Sequence, residues 1–230
     1  MKLNVRDLIQ QTILLEGEWD PSLTDFLGRN LNSGDVFVDV GAHVGYFSLL
    51  GAGRVGPTGA VLSIEPNPFA VQELQQNVER SHLRNVIVEH SACGESHGNV
   101  RLFLHTESNT SMASLSTANA SGSAAVEVPC IPLDELCRQR RLRRIALVKI
   151  DVEGAELLVL RGMKGIIGEM RPAIVLELEP RLLAGFGTSI AAIVRLLEEF
   201  DYTISPLGGH ANYVCRPRVD GPDAPESGSA

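Results

Sequence analysis

Short runs of branched apolar residues alternate along the chain with segments in which apolar side chains recur at helical spacing. The runs are short enough for strands, and most are apolar throughout, as expected for strands that are buried on both faces of a sheet. They lie at residues 36–40, 60–64, 86–88, 145–150 and 173–178. Such alternation predicts a parallel sheet with helices packed on its faces.

Two of the intervening segments carry clear helix signals. Asn67 can cap a helix whose first residue is a proline, and a second amphipathic helix is expected to begin after Thr188 or Ser189. Beyond the second helix, residues 202–204 and 212–214 are separated by a glycine-containing turn. This arrangement predicts an antiparallel pair of strands at the end of the sheet.

Two polar segments interrupt the alternation. Residues 106–125 are dominated by Ser, Thr, Ala, Asn and Gly. They predict no packed element and suit either a lid over a site or a disordered loop. Residues 216–230 are rich in Pro, Gly, Ser and Asp and predict a mobile tail. We therefore divide the chain into an N-terminal segment at 1–33, a single domain at 34–215 and this tail.

Composition and charge narrow the classes of function. The chain has 230 residues and a net charge of −8, with 28 acidic and 20 basic side chains. Nucleic-acid binding depends on Lys and Arg that neutralise phosphates, so the acidic excess argues against a nucleic-acid partner. No apolar run is long enough for a membrane span, and the first residues lack the features of a secretory signal. We therefore expect a cytoplasmic protein without a membrane partner.

A glycine turn follows the first strand. It contains Asp39, Gly41 and Gly45, and the apolar segment after it predicts a helix. Glycine lets the backbone approach a ligand closely, and a helix N-terminus offers free amide donors. The turn therefore indicates a ligand site at the carboxyl edge of the sheet, although a turn that serves packing alone has the same pattern.

A carboxylate follows the second strand. Glu65 is expected beside the glycine turn, where it can accept hydrogen bonds from both hydroxyls of a ribose; a helix cap or a solvated side chain is the alternative. Together the two features predict an adenosine-containing ligand. The Gly-x-x-x-Gly spacing lacks the second glycine that admits a pyrophosphate, and Asp39 suits a ligand with an ammonium group. S-adenosylmethionine is therefore favoured over NAD.

These residues belong to a set of motifs that resembles the FkbM-type S-adenosylmethionine-dependent methyltransferases. The resemblance runs from about residue 34 to residue 178, and the third motif is the most specific. The motifs are, in order, GDVFVDVGAHVGY (34–46), EPNP (65–68), LVKIDVEGAE (147–156), VLRG (159–162) and RP (171–172). His43 stands where such proteins often carry Asn, which is expected to alter local hydrogen bonding without removing the cofactor site.

The resemblance implies a Rossmann-like class I methyltransferase fold. This is an α/β fold whose seven-stranded, mostly parallel sheet has one antiparallel strand and helices on both faces. It also implies O-methylation of a hydroxyl on a small molecule such as a secondary metabolite or a sugar. Glu65 is expected on the ribose, and the adenine near Ser91 and Ala92. The implied cofactor-binding residues are Asp39, Gly41, Ala42, His43, Gly45, Glu65, Pro66, Asn67, Ser91, Ala92 and Asp151.

Acidic residues after the fourth and fifth strands are candidates for a general base. The topology of a parallel sheet brings Asp151 into the crevice at the strand ends, where a base could deprotonate an acceptor hydroxyl. Asp151 is the first candidate, Glu177 the second, and Glu153 a further catalytic candidate. Glu153 and Glu156 are expected at the same mouth. Helix capping is the alternative role for Asp151 and Glu153.

The sequence also bears on the acceptor pocket and on a bound metal. Residues 106–125 and the N-terminal segment around Trp19 are expected to shape the pocket. A divalent metal is compatible with methyl transfer, but no spacing of acidic side chains indicates one. A nicotinamide-dependent oxidoreductase and a cofactor-binding protein without catalysis are the alternative functions.

Overall fold

Eleven strands and eight α-helices make up the computed structural model, which describes residues 1–3, 7–104, 113–119, 124–208 and 211–218. The strands are β1 (Val36–Val40), β2 (Ala60–Ile64), β3 (Val86–Glu89), β4 (Ala92–Cys93), β5 (Gly98–Leu104), β6 (Ala113–Ser114), β7 (Ala124–Ile131), β8 (Ile145–Ile150), β9 (Ala173–Glu177), β10 (Tyr202–Gly208) and β11 (Asn212–Pro217). The helices are α1 (Leu8–Glu16), α2 (Pro21–Asn30), α3 (Tyr46–Val55), α4 (Pro68–Ser81), α5 (Leu133–Gln139), α6 (Glu156–Arg161), α7 (Pro180–Ala184) and α8 (Ile190–Glu198). Within these ranges no helix has the length and apolar character needed to cross a bilayer.

Seven strands form the central sheet, in the order β10-β11-β9-β8-β1-β2-β3. The pairs are parallel except those made by β11, which is antiparallel to both β9 and β10. This confirms the predicted sheet with its one antiparallel strand. Because the chain leaves β1 towards β2 and later returns to β8 on the other side, the strand order reverses at β1. The carboxyl ends of β1 and β8 therefore flank the crevice in which such sheets bind ligands.

Helices cover both faces of this sheet. On one face, Val38 and Val40 of β1 pack in a cluster with side chains of α5, α6 and α8. On the other face, Phe37 packs in a cluster with Leu27 of α2 and Phe47 of α3. Alternate residues of β1 are thus buried on opposite faces, which explains why the strand is almost continuously apolar in sequence. Through α2, the N-terminal segment contributes to the core.

The structure contains a second sheet of four strands, in the order β4-β7-β5-β6, which was not predicted from the sequence. In it β5 and β7 pair antiparallel and bury Leu102 and Val128. The prediction that 106–125 holds no packed element is wrong at β6 and at the start of β7, where Ala124 pairs with Leu104. These strands are held by backbone pairing and carry small or polar side chains, so their apolar signal is weak. The rest of the segment, 106–112 and 120–123, lies outside the described residues.

The sheet extends further at its C-terminal end than predicted. Strand β11 continues to Pro217, with Arg216 paired to Thr203 of β10, and the Arg218 amide donates to the carbonyl of Asp201 at 2.7 Å. The predicted start of the tail at residue 216 is therefore wrong. An edge ladder needs backbone pairing but few apolar side chains, so composition does not reveal its end. Residues 219–230 lie outside the described residues.

Candidate active site

A cavity lies at the carboxyl edge of the central sheet, beside β1, β2 and β8. Its space is about 970 Å³, including the open mouth. The predicted site residues that line it are Gly41, Ala42, His43, Glu65, Pro66, Ser91, Ala92, Asp151 and Glu153. Four others lie outside the lining: Asp39, Gly45, Asn67 and Glu177. The strand ends therefore bring most of the predicted residues together, as the switch-point topology requires.

The glycines of the turn after β1 are required by close packing. Gly41 has φ +79°, and a Cβ atom there would lie 1.8 Å from the backbone oxygen of Asp151. Gly45 has φ +92°, and a Cβ atom there would lie 2.4 Å from Leu74 of α4. The amides of Gly41 and Ala42 both donate to the Ile64 carbonyl, which ties the turn to β2. Only Gly41 of the two glycines also borders the cavity.

Replacing Gly41 with alanine is expected to lower stability by about 2–5 kcal/mol, because strain at positive φ adds to a clash with backbone. Thermal unfolding measures the loss. Gly53→Ala is the matched control: Gly53 is an exposed residue of α3 with open space around its missing Cβ, so this change is expected to raise stability by about 1 kcal/mol or less. Equal melting temperatures for the two variants would contradict the close approach at Gly41.

Glu65 is held in a fixed orientation at the cavity wall. Its Oε2 accepts a hydrogen bond from the His43 amide and its Oε1 one from the Asn67 amide, both at 2.8 Å. Burial raises the pKa of Glu65 to about 7, although both amide hydrogen bonds oppose the shift. Asn67 itself caps α4 by accepting from the Phe69 amide, so it positions Glu65 and does not line the cavity. The carboxylate retains lone pairs for a ligand.

Lys149 joins the strand ends, and sequence reasoning missed it. Its Nζ lies 3.3 Å from Asp39 Oδ1, 3.4 Å from Asp151 Oδ2 and 3.3 Å from the Gly41 carbonyl oxygen. Burial would lower the pKa of Lys149, but the carboxylates of Asp39 and Asp151 raise it well above its usual value. Asp39 is fully buried and also accepts from the Ser48 hydroxyl at 2.6 Å. Its carboxylate therefore faces Lys149 and does not reach the cavity.

A signal for this ion pair was present in the sequence. Asp39 and Lys149 each stand within an otherwise apolar strand, and the two residues are register partners of β1 and β8. A charged side chain in a strand buried on both faces requires an opposite charge nearby. Two buried strands that carry opposite charges are therefore predicted to be neighbours in the sheet. The register of β1 against β8 then sets Asp39 opposite Lys149.

The three candidate bases differ sharply in their affinity for a proton. Burial would raise the pKa of Asp151, but the Lys149 ammonium and a hydrogen bond with Glu177 hold it below its ordinary value. Burial, the charge of Asp151 and that hydrogen bond raise the pKa of Glu177 to about 10. Burial also raises the pKa of Glu153 to about 7, with Asp151, Glu156 and Glu65 adding to the shift. At neutral pH, Glu177 is therefore protonated and Asp151 ionised, while Glu153 lies near its midpoint.

The turn that carries Glu153 is held in an uncommon conformation. Glu153 has φ +56°, and its carbonyl accepts from the Asn119 side chain at 3.3 Å. Glu156, which we expected at the cavity mouth, is buried beneath the turn and accepts from the amides of Val152 and Gly154. These contacts aim the Glu153 side chain into the cavity and leave Glu156 a structural role.

His43 also lines the cavity. Burial lowers the pKa of His43 below its ordinary value, against the influence of Asp7 and Asp151, which raise it. The imidazole is therefore neutral at pH 7. Among the residues that the structure describes, no group of three or more His, Cys, Asp or Glu side chains is arranged to hold a metal ion.

The fold is similar to those of solved methyltransferases. The Methyltransferase FkbM from Methylobacillus flagellatus superposes with a TM-score of 0.54 at 16% identity, over 90% of this chain and 52% of that one. A protein from Streptococcus mutans in complex with SAH superposes with a TM-score of 0.50 at 10% identity, over 84% of this chain and 93% of that one. At these identities the similarity shows the fold alone.

Curated relatives share somewhat more sequence. Methyltransferase 1 of Beauveria bassiana is 27% identical over 158 residues, which cover 61% of this chain and 63% of the relative. The hexuronic acid methyltransferase AglP of Haloferax volcanii is 27% identical over 161 residues, which cover 70% of this chain and 62% of the relative. The chain thus spans just over three-fifths of the length of these two relatives.

A family model decides the relationship. The model of the Methyltransferase FkbM domain matches residues 39–204, from the acidic residue of β1 into strand β10. The match includes the glycine turn, Glu65, Lys149 and the acidic turn after β8, which all contribute residues to the cavity wall. This chain belongs to the FkbM methyltransferase family.

Proposed function

We propose that this chain transfers a methyl group from S-adenosylmethionine to a hydroxyl oxygen of a small molecule. The observation that carries the proposal is the Glu65 carboxylate, which two backbone amides fix at the cavity wall next to the glycine turn. A carboxylate in this place binds the hydroxyls of a nucleoside ribose. Family membership supports the same cofactor class.

The polar groups of the cavity fit this cofactor. Among the described residues the buried Ser91 hydroxyl at the cavity wall has no hydrogen-bond partner, and together with Ala92 it suits the adenine ring. Glu65 suits the ribose. The glycine turn suits the amino acid end, and Lys149 and Asp39 act on that end indirectly, because Lys149 contacts both Asp39 and the Gly41 carbonyl oxygen of the turn. When bound, the cofactor supplies an electrophilic methyl group.

The charge of the cavity favours S-adenosylmethionine over a nicotinamide dinucleotide. S-adenosylmethionine carries a sulfonium and an ammonium group against one carboxylate, whereas a dinucleotide carries an anionic pyrophosphate. The described lining contains the carboxylates of Glu65, Asp151 and Glu153, and its one lysine is already engaged by Asp39 and Asp151. A net cation is therefore the better match, and the oxidoreductase alternative is disfavoured.

We propose Glu153 as the general base, ahead of Asp151 and Glu177. A base works best when its pKa lies near the working pH, and Glu153 alone of the three meets that condition. Its carboxylate takes the proton of the acceptor hydroxyl as the oxygen gains the methyl group. Asp151 remains ionised beside Lys149, and protonated Glu177 hydrogen-bonds to it. Asp151 and Glu177 together thus carry one negative charge, which favours a cationic ligand.

Isothermal titration calorimetry tests the cofactor assignment. S-adenosylmethionine is expected to bind the wild-type protein, and NAD and NADP are expected not to bind. Glu65→Gln is expected to weaken S-adenosylmethionine binding roughly 10- to 100-fold, because hydrogen bonds to a charged acceptor are lost. Glu79→Gln, an exposed change on α4, serves as the matched control and is expected to leave the affinity unchanged. Unaltered affinity in Glu65→Gln, or binding of NAD alone, would refute the site.

A further inference from the structure

The segment at residues 113–119 connects the cavity lining with the turn that carries Glu153. Ala113 and Leu115 belong to the lining, together with Trp19 of the N-terminal segment. Asn119 lies outside that lining, and its side chain instead contacts backbone groups of two other elements. The segment therefore reaches both the cavity and the backbone that supports the proposed base.

The side-chain amide of Asn119 joins two backbone carbonyl groups. Its Nδ2 lies 3.3 Å from the carbonyl oxygen of Glu153 and 2.9 Å from that of Leu182 in α7. The NH₂ group of an asparagine has two hydrogens, so it donates one to each carbonyl. The opposite orientation of the carboxamide would set its oxygen against two carbonyl oxygens. The amide therefore links α7 to the turn after β8.

Gly185 leaves the space that this carboxamide occupies. A Cβ atom at Gly185 would lie 2.1 Å from Asn119 Oδ1, and its three nearest atoms all belong to the Asn119 side chain. Gly185 has φ −62°, which any residue can adopt. The contact with Asn119, and not the backbone conformation, therefore requires that position 185 carry no side chain.

The turn after β8 is closely packed against α7. Gly154 has φ +102°, and a Cβ atom there would lie 2.4 Å from the Leu182 carbonyl oxygen, the same atom that accepts from Asn119. Glu153 has φ +56°, which is unfavourable for a residue with a side chain. Such a conformation persists only where surrounding contacts hold it. The hydrogen bond from Asn119 to the Glu153 carbonyl is a contact of this kind.

The proton affinity of Glu153 depends on where the turn holds its carboxylate. Burial is the largest cause of its raised pKa, and the carboxylates of Asp151 after β8, Glu156 of α6 and Glu65 after β2 add to it. The effect of a charge falls with distance, and the effect of burial falls when water enters. A displaced turn would therefore change the pKa of the carboxylate as well as its place in the cavity.

We infer that Asn119 is a positioning residue, whose side-chain amide holds the Glu153 turn against α7 and thereby directs the Glu153 carboxylate into the cavity. The inference rests on the proposed function, because Asn119 bears on methyl transfer only through the proposed base. It gives a specific role to one residue of the polar segment 106–125, whose sequence predicts a lid or a disordered loop.

Carbon-13 NMR of the full chain, labelled at the glutamate side-chain carboxyl carbons, tests the inference without a methyl acceptor. The resonance of Glu153 is identified by its absence in Glu153→Gln and is followed over about pH 4–10. Asn119→Ala is expected to lower the midpoint of this titration by about half a pH unit or more, because a released turn admits water to the carboxylate.

Ser116→Ala is the matched control. The Ser116 hydroxyl donates to the Gly185 carbonyl at 2.8 Å, so it ties the same segment to the loop after α7, but its bond is not to Glu153. Its removal is expected to leave the midpoint within about 0.2 pH units of the wild-type value. A general tether of the segment would instead give the same result at both positions.

Gly185→Ala disturbs the same contact from the other side. It keeps Asn119 but places a methyl group in the space of its carboxamide, so it is expected to lower the Glu153 midpoint as Asn119→Ala does. It also serves if Asn119→Ala fails to fold. Combining the two changes is expected to shift the midpoint no further than Asn119→Ala alone, because both break one contact.

The outcomes separate the positioning role from the proposed function. Equal midpoints in Asn119→Ala and Ser116→Ala would overturn the positioning role, and so would additive shifts in the double variant. Calorimetry with S-adenosylmethionine on the same proteins reports on the cofactor site. Failure of the wild-type protein to bind S-adenosylmethionine would overturn the proposed function, whatever the Glu153 midpoints are.

Discussion

Replacing Lys149 with methionine is expected to lower the free energy of unfolding by about 3–5 kcal/mol, because it leaves a buried carboxylate without its counter-charge. Asp39 is fully buried, and within the part of the chain that the structure describes its Oδ1 has no partner other than the charge contact with Lys149 Nζ. Methionine is of similar length and apolar, so the loss reports on the charge more than on packing. Urea unfolding at neutral pH measures it.

A double variant shows whether the effect belongs to the ion pair. Combining Lys149→Met with Asp39→Asn removes both charges. The loss of unfolding free energy in this double variant is expected to be about 1–3 kcal/mol smaller than the sum of the losses in the two single variants. Lys164→Met, an exposed position before the π-helical turn at Ile166–Met170, is the control and is expected to change stability by about 0.5 kcal/mol or less. Additive single effects would contradict the pairing of Asp39 with Lys149.

Replacing Glu153 with glutamine is expected to lower turnover about 10²- to 10⁴-fold and to leave the affinity for S-adenosylmethionine nearly unchanged. Glutamine keeps the shape of the side chain and removes only its ability to take a proton. Transfer of a labelled methyl group to an acceptor measures the rate. Glu169→Gln, an exposed change outside the cavity, is the control and is expected to retain wild-type turnover.

The pH dependence of turnover identifies the base more directly. The base acts in its ionised form, and the pKa of Glu153 is about 7, so wild-type turnover is expected to rise with pH, to reach half its maximum near pH 7 and to level off about one pH unit higher. Glu153→Gln is expected to abolish that rise. Asp151, Glu156 and Glu65 surround Glu153, so the apparent midpoint reports on the group as well as on the residue. If Asp151→Asn abolished the rise and Glu153→Gln did not, the base would be Asp151.

The sequence predicts the central sheet well because its strands are buried on both faces. Strands β1, β2 and β8 have the predicted bounds, and parallel topology then places Gly41, Glu65 and Asp151 at one edge. Strands β5 and β7 were missed because they are half exposed and carry residues such as Arg101 and Glu127. In such strands the signal is alternation, which is easily mistaken for polar loop sequence.

The chemistry of the site was less predictable than its position. The order of the candidate bases depends on pKa values, and those depend on burial and on neighbours from several strands. Asp151 appeared best because it follows a strand directly, yet Lys149 lowers its pKa. Glu177 interacts with Asp151 because β9 lies beside β8, with Leu176 opposite Ile150, and a single sequence does not give that pairing of strands. Glu153 gains its place from a turn at positive φ that no residue pattern announces.

The pairing of Asp39 with Lys149 also bears on how the chain avoids wrong folds. In the native register these residues stand directly opposite each other, with Val38 opposite Val148 and Val40 opposite Ile150. A slip of one residue would set the ammonium group against a valine and strand two buried charges in hydrocarbon. The other positions of both strands carry apolar side chains that could pair in any register. This single charged pair therefore raises the free energy of every register of β1 and β8 except the native one. We therefore expect the pair of Asp39 and Lys149 to select the native register of β1 and β8 during folding.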